Sequence, residues 1–66
     1  MRTVYMTAWF KTEQEAKEFQ KNEHSGALYK GTPRSRTKQD HMIAAFMHGF
    51  DPEKYPFSVN WNEAVA

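Results

Sequence analysis

The densest chemical feature of the sequence is a basic segment at residues 30–38. It carries four cationic side chains and no acidic one, whereas the remaining 57 residues hold five cationic and eight acidic side chains. Arginine forks, hydroxyl donors and the backbone N–H groups of a helix that begins directly afterwards would suit a phosphate or another anion. We therefore predict an anion or nucleic-acid site formed by Lys30, Arg34, Ser35, Arg36, Thr37 and Lys38.

The spacing of this segment limits how specific that prediction is. A phosphate-binding P-loop requires a glycine-rich turn followed by Gly-Lys-Ser or Gly-Lys-Thr, and this segment has a single glycine, Gly31. The competing interpretation is a solvated loop whose charges serve only solubility.

Other polar side chains do not have the spacing that catalysis or metal binding requires. His41 and His48 lie seven residues apart, two helical turns, which is too far for one metal ion. Asp40 precedes His41 directly, and neighbours on a helix diverge by about 100°, so the carboxylate is badly placed to orient the ring. The chain also has no cysteine. We expect no enzymatic activity, no metal and no cofactor.

Hydropathy patterns place these residues on five elements. Strands are predicted at 3–10, 27–30 and 55–61 from alternating apolar side chains. Helices are predicted at 13–22, after a Thr12–Glu15 capping box, and at 38–48, with Thr37 as N-cap and Gly49 as C-cap. A turn is expected at 24–26, and residues 62–66 are expected to be a frayed tail.

The order β-α-β-α-β predicts one small α+β (α/β-like) domain over residues 1–66. We expect a three-stranded sheet with both helices on one face, because short crossovers favour one hand. A hairpin at 30–34 followed by a short strand at 34–36 would instead give a miniature ferredoxin-like β-α-β-β-α-β fold. The three-stranded version is preferred because Arg34-Ser35-Arg36 is poor strand material.

The apolar residues are unusual in kind. The chain has ten aromatic residues but only five of Val, Leu and Ile together, so aromatic rings are expected to fill the core. The second predicted helix is expected to be the main core helix, with its apolar stripe facing inward. That stripe consists of Ile43, Phe46, Met47 and Phe50.

With both helices on one face, the other face of the sheet would lie bare. Tyr5 and Trp9 fall on that face, and aromatic surfaces of this kind are typical of interfaces. Our first expectation is therefore a protein-interaction or regulatory module that binds a protein partner or a second copy of itself through Tyr5 and Trp9. Nucleic-acid or phosphate binding at residues 30–38 is the alternative. A cytoplasmic protein without a membrane segment is expected.

Overall fold

The computed structural model describes residues 1–22 and 26–65, and all five predicted elements are present in it. They are β1 (Arg2–Phe10), α1 (Glu13–Asn22), β2 (Ala27–Lys30), α2 (Lys38–His48) and β3 (Phe57–Val65). The predicted α+β class and the β-α-β-α-β order are confirmed. The turn expected at 24–26 falls mainly outside the described residues.

The three strands form one antiparallel sheet in the order β1-β3-β2. All nine residues of β1 pair with β3, from Arg2 opposite Val65 to Phe10 opposite Phe57. The prediction of a frayed tail was therefore wrong for residues 62–65, because the long first strand offers each of them a backbone partner. In the described part of the chain, residues 31–37 form turns rather than a fourth strand, so the three-stranded version holds.

The two helices lie on opposite faces of this sheet, which contradicts the expectation of one shared face. Successive side chains of a strand point to opposite faces. The ring of Phe10 packs against Phe19 of α1, with centroids 5.1 Å apart. The ring of the preceding residue, Trp9, packs against His41 of α2 at 5.3 Å. The sheet is therefore the middle layer of three.

The strand directions explain why the one-face prediction was wrong. The handedness rule applies to a crossover between parallel strands. It bears on the β1–α1–β2 connection, because β1 and β2 both run antiparallel to β3. It places no restriction on α2, which connects the antiparallel neighbours β2 and β3.

Helix α1 covers the face that carries Phe10. Its Ala16 is fully buried, and the Phe19 ring lies 5.3 Å from the ring of Trp61 on β3. The predicted cap is present, since the Glu15 N–H donates to Thr12 Oγ1 at 3.3 Å. Aromatic rings thus replace aliphatic side chains in this half of the core, as the composition predicted.

Helix α2 faces the sheet with its small and polar residues. His41 and Ala45 are fully buried, whereas Ile43, Phe46 and Met47 are exposed. The prediction that α2 is the main core helix, with its apolar stripe inward, was therefore wrong for those three residues. Phe50 follows the helix; it is 37% exposed and stacks on Trp9 with ring centroids 4.8 Å apart.

The ends of α2 follow the sequence closely. Gly49 adopts a left-handed conformation with φ of 74°, and its N–H bonds to the carbonyl of Ala45. Thr37 occupies the N-cap position, but its side chain makes no capping hydrogen bond. Its Oγ1 instead accepts the N–H of Lys30 at 2.7 Å, which ties the start of α2 to the end of β2.

Gly31 allows the His41 ring to approach the backbone after β2. A Cβ at this position would lie 2.9 Å from His41 Nε2 and closer still to the ring carbon Cδ2. We predict that Gly31→Ala displaces the ring and lowers the free energy of unfolding by about 1–3 kcal/mol. Chemical denaturation measures this loss. Pro33→Ala, at an exposed position of the same loop, is the control and should have a much smaller effect; equal effects would contradict the close packing.

Candidate functional site

The orientation of α2 depends on one buried polar contact. His41 Nδ1 shares a hydrogen bond of 2.9 Å with Ser58 Oγ on β3. Ser58 lies opposite Trp9 in the strand register, so the His41 ring meets the edge of the Trp9 ring in the same place. Both His41 and Ser58 are fully buried. Such a contact fixes one face of the helix against the sheet, because leaving either group unpaired in the interior is costly.

Burial changes the pKa of the His41 imidazole. Desolvation lowers the pKa of its imidazole, and the nearby backbone of Tyr55 opposes this only in part. Among the described residues, Nε2 has no partner within normal hydrogen-bond geometry. Burial therefore favours the neutral form of the ring, which is held by Ser58 on one side and by aromatic contacts on the other.

The opposite face of α2 is an exposed apolar surface, which we call the α2 stripe. Its exposed fractions are 88% at Phe46, 76% at Met47 and 52% at Ile43. These residues follow the i, i+3, i+4 spacing of one helix face. Scattered apolar side chains on a surface are ordinary, but a contiguous group of this kind marks a binding surface. The stripe consists of Met42, Ile43, Phe46 and Met47.

A shallow groove along the stripe has a basic end. Arg36 and Lys38 line it together with Met42, Ile43 and Phe46. Arg36 belongs to the loop before α2, which is folded by its own hydroxyl groups, and Lys38 is the first residue of the helix. The arrangement offers an apolar strip with positive charge at the helix N-terminus.

Those hydroxyl groups are the ones predicted to bind an anion. Ser35 Oγ and Thr37 Oγ1 lie 2.9 Å apart and share a hydrogen bond. The Thr37 N–H donates to Ser35 Oγ, and Thr37 Oγ1 also accepts the N–H of Lys30. Both side chains therefore hold the loop in shape.

Lys30 is also engaged elsewhere. Its Nζ lies 2.8 Å from Glu13 Oε1, and Lys17 Nζ reaches the same oxygen at 3.0 Å. Lys30, with Lys17 second, lowers the pKa of the Glu13 carboxyl. The ion pair joins the end of β2 to α1, on the sheet face away from α2. Of the six residues predicted to bind an anion, Arg36 and Lys38 line the groove along the α2 stripe, and Arg34 is an exposed cation of the loop before α2.

The two aromatic residues of β1 that were predicted to form an interface differ in exposure. Trp9 is not bare: the rings of His41, His48 and Phe50 surround it. Tyr5 remains 77% exposed. It borders a second shallow groove, whose other lining residues include Ile43, Met47 and His48 of α2. Tyr5 therefore adjoins the α2 stripe, whereas Trp9 supports the helix from beneath.

Sequence reasoning identified the residues of the stripe but assigned them to the core. A helical period shows that residues share one face and not which way that face points. A second signal was available: residues 41–50 contain no Asp, Glu, Lys or Arg. A helix segment without a charged face is typical of a helix covered on both sides.

The described residues also bear on metal binding and on membrane crossing. Across residues 1–22 and 26–65, no group of three or more His, Asp or Glu side chains could hold a metal ion. Neither described helix has the length and hydropathy that a membrane crossing requires.

Comparison with protein-family models, curated protein sequences and solved structures found no match to this chain.

The buried His41 predicts a specific loss of stability in acid. Because its pKa is lower in the folded chain, the unfolded chain binds the proton first as the pH falls. The contribution of neutral His41 is therefore complete above the ordinary histidine pKa of about 6.5 and declines below it. Thermal unfolding measured from neutral to mildly acidic pH should show a falling Tm.

Two variants isolate the source of that loss. His41→Leu should flatten this part of the pH profile, whereas His48→Gln, at an exposed position, should leave it in place. An unchanged acid-dependent loss in His41→Leu would show that another group is responsible.

Proposed function

We propose that the protein is a small protein-interaction module that binds its partner through the α2 stripe. The observation that carries the proposal is the exposure of Phe46 and Met47 in the second half of a helix that has no charged face from residue 41 onward. Removing such side chains from water is worth about 1.5–3 kcal/mol each when burial is complete. A partner that covers the stripe gains that free energy directly.

The surroundings of the stripe define the chemistry of the partner. Arg36 and Lys38 lie at its N-terminal end, and Tyr5 adjoins its flank. A fitting partner presents a complementary apolar face with acidic groups or a helix C-terminus at the basic end. This replaces the sheet face as the proposed contact surface: Tyr5 stays within it, and Trp9 becomes a residue that supports α2.

The proposed role is binding and not catalysis. The grooves beside α2 are shallow, and the polar residues nearest to them serve the fold of the loop. The composition, which includes no cysteine, favours a cytoplasmic location over that of a small secreted disulfide protein.

Nucleic-acid binding is the second candidate function, and one observation favours it. The exposed Phe46 ring lies along the same groove as Arg36 and Lys38, and aromatic rings beside cations are typical of single-strand binding surfaces. The three remaining cations would give a modest salt dependence, with log K falling against log salt at a slope of about −2. The larger apolar share of the groove favours a protein partner.

The proposed function predicts that partner capture depends on the stripe. Tagged protein is incubated with nuclease-treated lysate, and retained proteins are identified and quantified. The double variant Phe46→Ser/Met47→Ser should reduce retention of the specific partner by at least about tenfold, as expected for central apolar residues of an interface. The matched control is Gln14→Ser/Lys21→Ser, which alters exposed positions of α1 on the opposite side of the sheet.

Equal retention by all three proteins would contradict a role for the stripe. A signal that disappears on nuclease treatment and returns with a labelled oligonucleotide at low salt would favour the second candidate. In that case Arg34→Ala/Arg36→Ala should weaken oligonucleotide binding, and retention should fall as salt rises with the same modest slope of about −2.

A further inference from the structure

We propose that the partner of the α2 stripe is a second copy of this chain, with the two α2 helices packed antiparallel about a two-fold axis. This inference rests on the proposed function, since it names the occupant of the same surface. Three observations lead to it: the small core of the single chain, the distribution of charge around the stripe and the order of residues along it.

The single chain buries little apolar material. Among the described residues, the fully buried apolar side chains are Ala16, Ala45 and Val59. On its inner side, α2 is held by the His41–Ser58 hydrogen bond, the Trp9 ring and a small alanine. A chain of 66 residues with so small a core gains much from a partner that is always present. A second copy is produced with the first and is available in equal amount.

The overall charge permits this pairing. A formal net charge of +1 causes little repulsion between two copies. A strongly basic or acidic chain would instead favour a partner of opposite charge. The local charge then determines the direction in which the helices pack.

The cations of the stripe lie at one end only. Arg36 and Lys38 line the groove at the N-terminus of α2. Parallel packing would place the two cations of one copy beside the two cations of the other. Antiparallel packing separates the two basic ends by the length of the helix, about 16 Å for eleven residues. Antiparallel packing also brings each basic end to the negative end of the other helix dipole, near the exposed Asp51 that follows Gly49.

The residue order along the stripe suits a two-fold axis. If the axis passes between Ile43 and Phe46, Ile43 of each copy meets Phe46 of the other. Met42 and Met47 then line opposite flanks of the contact, each on the same side as its counterpart in the second copy. Long flexible methionine side chains fill the flanks and the branched and aromatic side chains fill the centre, so that each copy supplies the same complementary set.

The first experiment measures the mass of the protein in solution. Analytical ultracentrifugation over about three decades of concentration should show a reversible monomer–dimer equilibrium for the unaltered chain. Phe46→Ser/Met47→Ser should shift the protein to monomer, and Gln14→Ser/Lys21→Ser should not. Far-ultraviolet circular dichroism of each variant confirms that it is folded, and a variant that unfolds is replaced by Phe46→Ser alone.

The second experiment tests the direction of packing in chains that keep the rest of the stripe. The natural sequence has no cysteine, so introduced thiols report their own contacts. Chains carrying Ile43→Cys and Phe46→Cys, mixed and oxidised, should form a disulfide between the two types in preference to one within either type, because antiparallel packing places residue 43 of one copy opposite residue 46 of the other. Gln39→Cys alone should not form one, because antiparallel packing places its two copies about 16 Å apart along the axis, beyond the range of a disulfide.

The outcomes separate this inference from the proposed function. A protein that stays monomeric at every concentration overturns the inference, and the lysate capture then decides whether the stripe binds another protein. Failure of both experiments removes both proposals. A dimer that persists in the stripe variant and gives no disulfide between Ile43→Cys and Phe46→Cys chains overturns the inference in favour of another surface, such as the outer edge of β1. Efficient disulfide formation by Gln39→Cys overturns the antiparallel arrangement.

Discussion

The hydrogen bond between His41 and Ser58 decides which side of α2 meets the sheet. It lies in the only fully buried polar pair found among residues 1–22 and 26–65, beside the ring of Trp9. Once His41 is held there, Ala45, one turn further along, also faces the sheet. The larger apolar side chains of α2 are then directed outward.

The placement of α2 brings together the basic loop and the α2 stripe, two features that are separate in the sequence. The basic loop ends where α2 begins, and its hydroxyl groups bind the end of β2. This fold of the loop brings Arg36 and Lys38 alongside Met42 and Phe46 in one groove. The charges and the apolar stripe therefore form a single surface with a defined polarity. A surface of this kind suits an oriented protein partner better than a free anion, because its hydroxyl donors are already engaged.

Local signals in the sequence were sufficient for the presence of the five elements and for the ends of both helices. The Thr12 cap and the left-handed Gly49 depend on neighbouring residues and were predicted correctly, whereas β3 runs from Phe57 to Val65 instead of the predicted 55–61. The placement of α2 was not, because it depends on a contact between residues 17 positions apart. An apolar stripe of Ile43, Phe46 and Met47 normally faces inward. The absence of charge on both sides of the helix was the signal for a second covering layer. Trp9 was predicted to be exposed because both helices were expected on the other face of the sheet. It is covered because α2 lies on the face that carries its ring.

In the proposed dimer, α2 is covered on its outer side by another copy of the chain. Amide hydrogen exchange of the unaltered protein, followed residue by residue at several concentrations, tests it most directly. Exchange of the α2 amides should slow as concentration rises, while the amides of α1 change much less, because only α2 gains a new layer. Exchange rates in α2 that are the same at every concentration would contradict the claim.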